Sequence, residues 1–259
     1  MPPPITVRST LAIPPALAHG PPRFPDLGHM GGGEQGAEGL DWREGIVPVS
    51  RRFDDPYFSL ADGLAETRHV FLEGNGLPGR LRDGFHVAEL GFGTGLNLLA
   101  LWIAWQGAGA PGVLRFTSFE AYPLTAEEMA RALAAFPEAA AVAGPFLAQW
   151  GAGARVIDLP GLRAEVVIGD ARETLPAWEG VADAWFLDGF SPAKNPELWS
   201  DDLMVAVAAH TAPGGTFATY TAAGHVRRAL AAAGFAVERR PGHGRKRHMT
   251  AGHLAERRE

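Results

Sequence analysis

The stretch HVAELGFGTGLNLLALW, residues 86–102, sets three glycines at alternate positions, Gly91, Gly93 and Gly95, between an apolar run and a pattern that reads as a packed helix. A glycine-rich turn from strand to helix lets backbone N–H groups and a helix N-terminus come close to a ligand. The dinucleotide fingerprint is G-x-G-x-x-G, whereas the spacing here is G-x-G-x-G. The next strand ends in an acid, Glu120, but well past the ~20-residue spacing of that fingerprint. Glu89 stands just before the loop, where it would repel a pyrophosphate and suit an ammonium or hydroxyl groups. An NAD(P)-dependent oxidoreductase is therefore disfavoured. Tight turns also use glycine, so the loop alone does not decide the function.

Working outward, strand-like and helix-like segments alternate. FHVAEL (85–90) and LRFTSFE (114–120) read as strands, with the helix LNLLALWIAW (96–105) between them. TAEEMARALAAF follows as a helix, with Thr125 as N-cap and Glu128 completing a capping box. ARVIDL and AEVVIGD flank Pro160-Gly161 as a strand pair around a turn. ADAWFLD (182–188) and GGTFATYT (214–221) are further strands, followed by a helix ending at Gly234. AVERR and RHMTAGHL close the chain as an antiparallel pair. This alternation predicts an α/β doubly wound sheet, whose ligand sits beyond the C-terminal ends of the strands. Four acids stand at successive strand ends: Glu89, Glu120, Asp170 and Asp188. Asp170 in VVIGD could accept from an adenine amino group or cap the helix near ARETLPAW.

Residues 1–40 are rich in Pro and Gly and show no period, so they read as a poorly ordered extension, with the folded domain at 41–259. Hydrophobic residues at 46% and charged residues at 20% suit a globular core. With no cysteine and no His-x-x-x-His pair, no metal site is expected. No apolar run reaches the ~18 residues of a membrane span and no signal peptide is evident, so a cytoplasmic protein without membrane contact is expected. The net charge of −6 argues against a wholly basic nucleic-acid binder but allows a local basic patch. Arg239, Arg240, Arg245, Lys246 and Arg247 form such a cluster, expected in the loop joining the last two strands. It could contact phosphates or be a solvated hairpin loop. Arg227 and Arg228 on the preceding helix are weaker candidates.

FDDPYFS, GLAETRHVFL, GFGTGLN, SFEAYPLT, WFLDGFSPAKNPELW, PGGTFATYTAAGHVRRAL and GRKRHM together resemble the methyltransferase half of the MnmC family, over residues ~41–254. The resemblance implies a class I S-adenosylmethionine-dependent methyltransferase, a Rossmann-like doubly wound sheet with its last strand antiparallel. It implies methyl transfer from S-adenosyl-L-methionine to the primary amine of 5-aminomethyl-2-thiouridine at the tRNA wobble position. The chain ends at Glu259 without a second glycine fingerprint, so a stand-alone form is expected, with other tRNA-modifying enzymes supplying the aminomethyl substrate. On this reading Glu89, Gly91, Gly93, Thr94, Gly95, Asn97, Glu120, Asp170 and Asp188 hold the cofactor, with Glu120 on the ribose hydroxyls.

An alkyl primary amine is largely protonated near neutral pH and then has no lone pair to attack with. Asp188, fixed by the Gly189 turn, Pro192 and Pro196, is the candidate to accept or relay that proton; the alternative is that it only orients the cofactor or the amine. Tyr57, Phe58, Phe190, Pro192, Asn195, Arg245, Lys246 and Arg247 are the candidate substrate contacts. Asp54, Asp55, Tyr57 and Phe58 could cover the site, although an isolated Tyr or Phe is as readily explained by core packing. Lys194 could touch tRNA or only decorate its loop. Two other readings stay open: a methyltransferase acting on a small-molecule amine, and a non-catalytic S-adenosylmethionine-binding module.

Overall fold

The computed structural model describes residues 39–59, 62–244 and 246–255. Nearly all of the expected extension therefore lies outside the described residues, as does Arg245. The main sheet has eight strands: β4 (His86–Leu90), β5 (Leu114–Glu120), β6 (Val156–Leu159), β7 (Leu162–Ile168), β8 (Ala182–Leu187), β9 (Thr211–Thr219), β10 (Phe235–Pro241) and β11 (His248–Leu254). Their spatial order is β10-β11-β9-β8-β4-β5-β7-β6. The five strands β7, β5, β4, β8 and β9 run parallel to one another. The last strand, β11, is antiparallel to both β9 and β10, and β6 is an antiparallel edge paired to β7 through the Pro160-Gly161 turn.

The two faces of this sheet can be read from the alternation of its strands. Val87, Ala184, Phe186 and Phe116 enter one apolar cluster, which α2 (Leu96–Ala108), α3 (Ala126–Leu133) and α5 (Gly144–Gly151) complete. Ala88, Leu90, Trp185, Leu187 and Phe119 enter the other, against α7 (Asp201–Ala209) and α8 (Gly224–Ala232). Every residue of β4 is buried, as a parallel strand covered on both faces requires. The capping box of α3 is present, with Thr125 Oγ accepting from Glu128 N and the Glu128 carboxylate accepting from Thr125 N.

From β4 the chain winds outward through β5 to β7, then returns to the other side of β4 as β8. Two crossovers diverging from neighbouring strands leave a crevice between β4 and β8, the switch point where ligands of such sheets bind. The ladder holds to the very end there: Asp188 N donates to Leu90 O and Gly91 N to Phe119 O.

The structure also holds elements outside the sequence expectation. A small antiparallel sheet is formed by β1 (Leu40–Arg43), β2 (Val47–Ser50) and β3 (Asp55–Pro56). A short α1 (Gly63–Thr67) runs directly into a π-helical turn at Arg68–Leu72. Wide turns of that kind recur beside functional sites. The helix α4 (Pro137–Val142) precedes α5. Among the described residues, no helix is long and apolar enough to cross a membrane.

Candidate active site

The glycine loop joins β4 to α2, and all three of its glycines have positive φ: 89° at Gly91, 52° at Gly93 and 76° at Gly95. Side chains rarely adopt that backbone. Gly91 has a second constraint, because a Cβ there would lie 2.4 Å from Asp188 O. The missing side chain therefore lets the ends of β4 and β8 close upon one another. That close packing sets Asp188 beside the loop.

A cavity of about 480 Å³ opens at this point, a size suited to a small molecule. Asp188, Thr94, Asn97 and Phe92 form its floor, and Phe190, Tyr57, Phe58 and Phe71 its apolar walls. Asp55, Glu66, Tyr220 and Lys246 complete it. Phe190 is held from two sides, stacked on Phe53 with centroids 4.8 Å apart and edge-on to Tyr57 at 5.0 Å. Asp55 fixes the segment after Asp188, its Oδ2 accepting from Ser191 N at 2.9 Å.

Beneath the floor lies a buried polar chain. Asn97 Nδ2 donates to Asp188 Oδ2 at 2.7 Å and to Glu89 Oε1 at 2.8 Å, while Asn97 Oδ1 accepts from Thr67 Oγ. The other Glu89 oxygen accepts from Ser118 Oγ at 2.7 Å, across the β4–β5 register. Glu89 is fully buried and does not reach the cavity; burial pushes its carboxyl well above the usual range, with the Ser118 and Asn97 hydrogen bonds opposing. Burial pushes Asp188 up to about 7, while the Asn97 hydrogen bond and the Lys246 charge hold it down and the Glu66 charge adds to the rise.

The remaining sequence candidates distribute unevenly. Glu120 ends β5 behind the loop, with its carboxylate accepting from Gly93 N at 3.0 Å and Tyr122 N at 2.7 Å. Burial raises its pKa, and those backbone donors oppose the rise. Asp170 caps the one-turn helix α6 (Ala171–Thr174), accepting from Arg172 N, and the hydrogen bond from the Arg172 side chain holds its carboxyl below the usual range. Neither Glu120 nor Asp170 lines the cavity. Pro192 is buried, Asn195 is half-buried, and both lie outside the cavity lining. Lys194 reaches Asp54 and Asp55.

The basic cluster is not a single loop. Arg239 and Arg240 belong to β10, and Arg240 pairs with Glu238. Arg247 is exposed, but Lys246 turns inward, its Nζ 2.6 Å from Glu66 Oε1 and 4.2 Å from the Tyr220 ring centroid. Sequence reasoning gave no role to Glu66, Thr67 or Tyr220. Their only signal was membership of GLAETRHVFL and TFATYT, because short helices and strand ends carry no period that aims a side chain.

The donor set fits a ligand that carries positive charge. Three carboxylates, Asp55, Glu66 and Asp188, line a cavity that contains one lysine, while Gly91, Gly93 and Gly95 themselves lie outside its lining. Residues 137–255 match the model of a family described as S-adenosyl-L-methionine-dependent methyltransferase. The tRNA 5-methylaminomethyl-2-thiouridine biosynthesis bifunctional protein MnmC of Caulobacter sp. (strain K31) is 51% identical over 224 residues, 82% of this chain and 37% of that protein. Its counterpart in Caulobacter vibrioides is 51% identical over 216 residues, 80% of this chain and 36% of that protein. The chain thus spans little more than a third of these curated relatives. Among solved structures, MnmC2 from Aquifex aeolicus superposes with a TM-score of 0.64 at 25% identity, covering 85% of this chain and 72% of that one.

Proposed function

This chain belongs to the MnmC family, in the part that carries its S-adenosylmethionine-dependent methyltransferase, and we propose from that premise that it N-methylates the aminomethyl group of 5-aminomethyl-2-thiouridine at the tRNA wobble position. The observation that carries the reading is the cavity itself: Asp188 and two further carboxylates line a site walled by Phe190, Tyr57 and Phe58. Aromatic walls suit a splayed-out pyrimidine, the usual way in which a base is presented to an RNA-modifying site.

Bound S-adenosylmethionine supplies an electrophilic methyl group on a sulfonium. Gly91, Gly93, Gly95, Thr94 and Asn97, with Glu120 and Asp170, are the residues that would hold it. Asp188 receives the proton of the substrate ammonium on its free carboxylate oxygen, while Asn97 fixes the other. A carboxyl near 7 lies about three units closer to an alkylammonium at ~10.4 than an ordinary aspartate does, so the proton transfer is correspondingly less uphill. Glu89 and Thr67 lock the Asn97 amide and so keep Asp188 aimed into the cavity. The aminomethyl group must already be on the tRNA when it reaches this site.

The test is incubation of the purified protein with labelled S-adenosylmethionine and tRNA that carries or lacks the aminomethyl uridine. Label should enter only the aminomethyl tRNA. Equal transfer to a free small amine would favour a metabolite methyltransferase instead.

A further inference from the structure

Lys246 is held at the cavity rim by a turn in which its N donates to His243 O and Gly242 N donates to Arg247 O. The turn is tied to α1 by His243 Nε2, 3.3 Å from Asp62 Oδ2, and by the Lys246–Glu66 pair. The two partners of that pair differ in setting: the Glu66 side chain is 13% exposed, whereas that of Lys246 is 45% exposed. The acid is thus built into the cavity wall, and the lysine reaches in from solvent on a flexible stem. The Tyr220 ring beneath the ammonium is fixed in turn, its hydroxyl donating to Gly189 O at 2.7 Å. The Lys246 ammonium therefore rests on Glu66 Oε1 and the Tyr220 face, in the cavity that Asp188 also lines, and that cation belongs to the protein itself.

We propose that Glu66, Tyr220 and Asp188 form the subsite for the acceptor ammonium, and that Lys246 fills this subsite until the substrate amine displaces it. The inference rests on the function proposed above, since it places the aminomethyl group there. A lysine ammonium and an alkylammonium carry the same charge and the same hydrogen-bond donors, so the exchange leaves the charge of the cavity unchanged. The Lys246 ammonium, already half in solvent, is rehydrated as it leaves, so the exchange replaces one solvated cation with another. Glu66 thereby becomes a positioning residue for the amine. An acceptor bearing a carboxylate would bring a fourth negative charge among Asp55, Glu66 and Asp188 and would be rejected.

The experiment uses the chemical reactivity of Lys246, with Lys194, the other lysine of the chain, as internal reference. The full chain, with S-adenosylhomocysteine, is pulsed with acetic anhydride and its peptides are weighed. Adding 5-aminomethyl-2-thiouridine nucleoside should speed acetylation of Lys246 severalfold relative to Lys194. Unchanged or slower labelling of Lys246 with both the nucleoside and ethylammonium overturns the proposal. Ethylammonium as a second probe separates the two failures: if it frees Lys246 and the nucleoside does not, the subsite stands and the assigned substrate falls. For methyl transfer to the nucleoside, Lys246→Met should lower KM severalfold. Glu66→Gln should raise KM, and Lys246→Met should bring no gain in that background. A raised KM in Lys246→Met alone also overturns the displacement.

Discussion

At the scale of single residues, the site is a place where stability has been exchanged for chemistry. Asp188 is an acid whose charged form the fold disfavours, pushed up to about 7 by burial. A carboxyl whose folded pKa lies above its unfolded value of about 4 contributes stability at acid pH and loses it as pH rises toward 7. Asp188→Asn keeps the shape and can still accept from Asn97, yet it never charges. The variant should therefore be more stable than the parent at pH 8, by roughly 1–3 kcal/mol, and the gain should vanish near pH 4. Urea unfolding at the two pH values checks this; equal midpoints at pH 8 would mean that Asp188 is not strained by its setting. The place of Asp188 at the end of a buried strand was legible in the sequence, because WFLDGFSPAKNP ends an apolar strand in an acid. The inward turn of Lys246 was not legible. A lysine among arginines reads as solvated charge until the fold brings Glu66 and Tyr220 beneath it.

At the scale of elements, the glycine loop has a packing role that the sequence could not separate from ligand binding. Three missing side chains suggested a ligand close to the backbone. The structure adds that Gly91 is required by the protein itself, since β8 passes so near that a Cβ would meet Asp188 O at 2.4 Å. Gly91→Ala should thus act at a distance from its own position, forcing the ends of β4 and β8 apart and moving Asp188. With positive φ as a further cost, the expected loss is about 2–4 kcal/mol of stability, together with loss of transfer activity. Thermal unfolding and the transfer assay report the two effects separately; a variant as stable and as active as the parent would show that the strand ends are not tightly coupled. Strong periods made β4, β5, β8 and the α3 capping box readable. The small sheet β1–β3 and the α1–π turn, from which Asp55, Glu66 and Phe71 reach the cavity, were not, because these segments are short and their side chains are organised by tertiary contacts rather than by a repeat.

At the scale of the whole molecule, the doubly wound sheet explains how residues distant in sequence reach one cavity. The return of the chain from β7 to β8 sets Asp188 beside the first loop, and the Asn97 amide joins it to Glu89. Sequence order predicted the strand ends, but it could not show that Glu89 supports the site from beneath rather than facing the ligand. In the reaction proposed above, Asp188 takes the proton of the acceptor amine. Single-turnover methylation of aminomethyl tRNA, followed across pH at saturating cofactor, tests it most directly. The wild-type rate should rise with pH and level off above about 7, while Asp188→Asn should be slower by ~10²-fold or more and lose that inflection. If Asp188→Asn reaches the wild-type rate at saturating cofactor, Asp188 is a binding group and the proton is handled elsewhere.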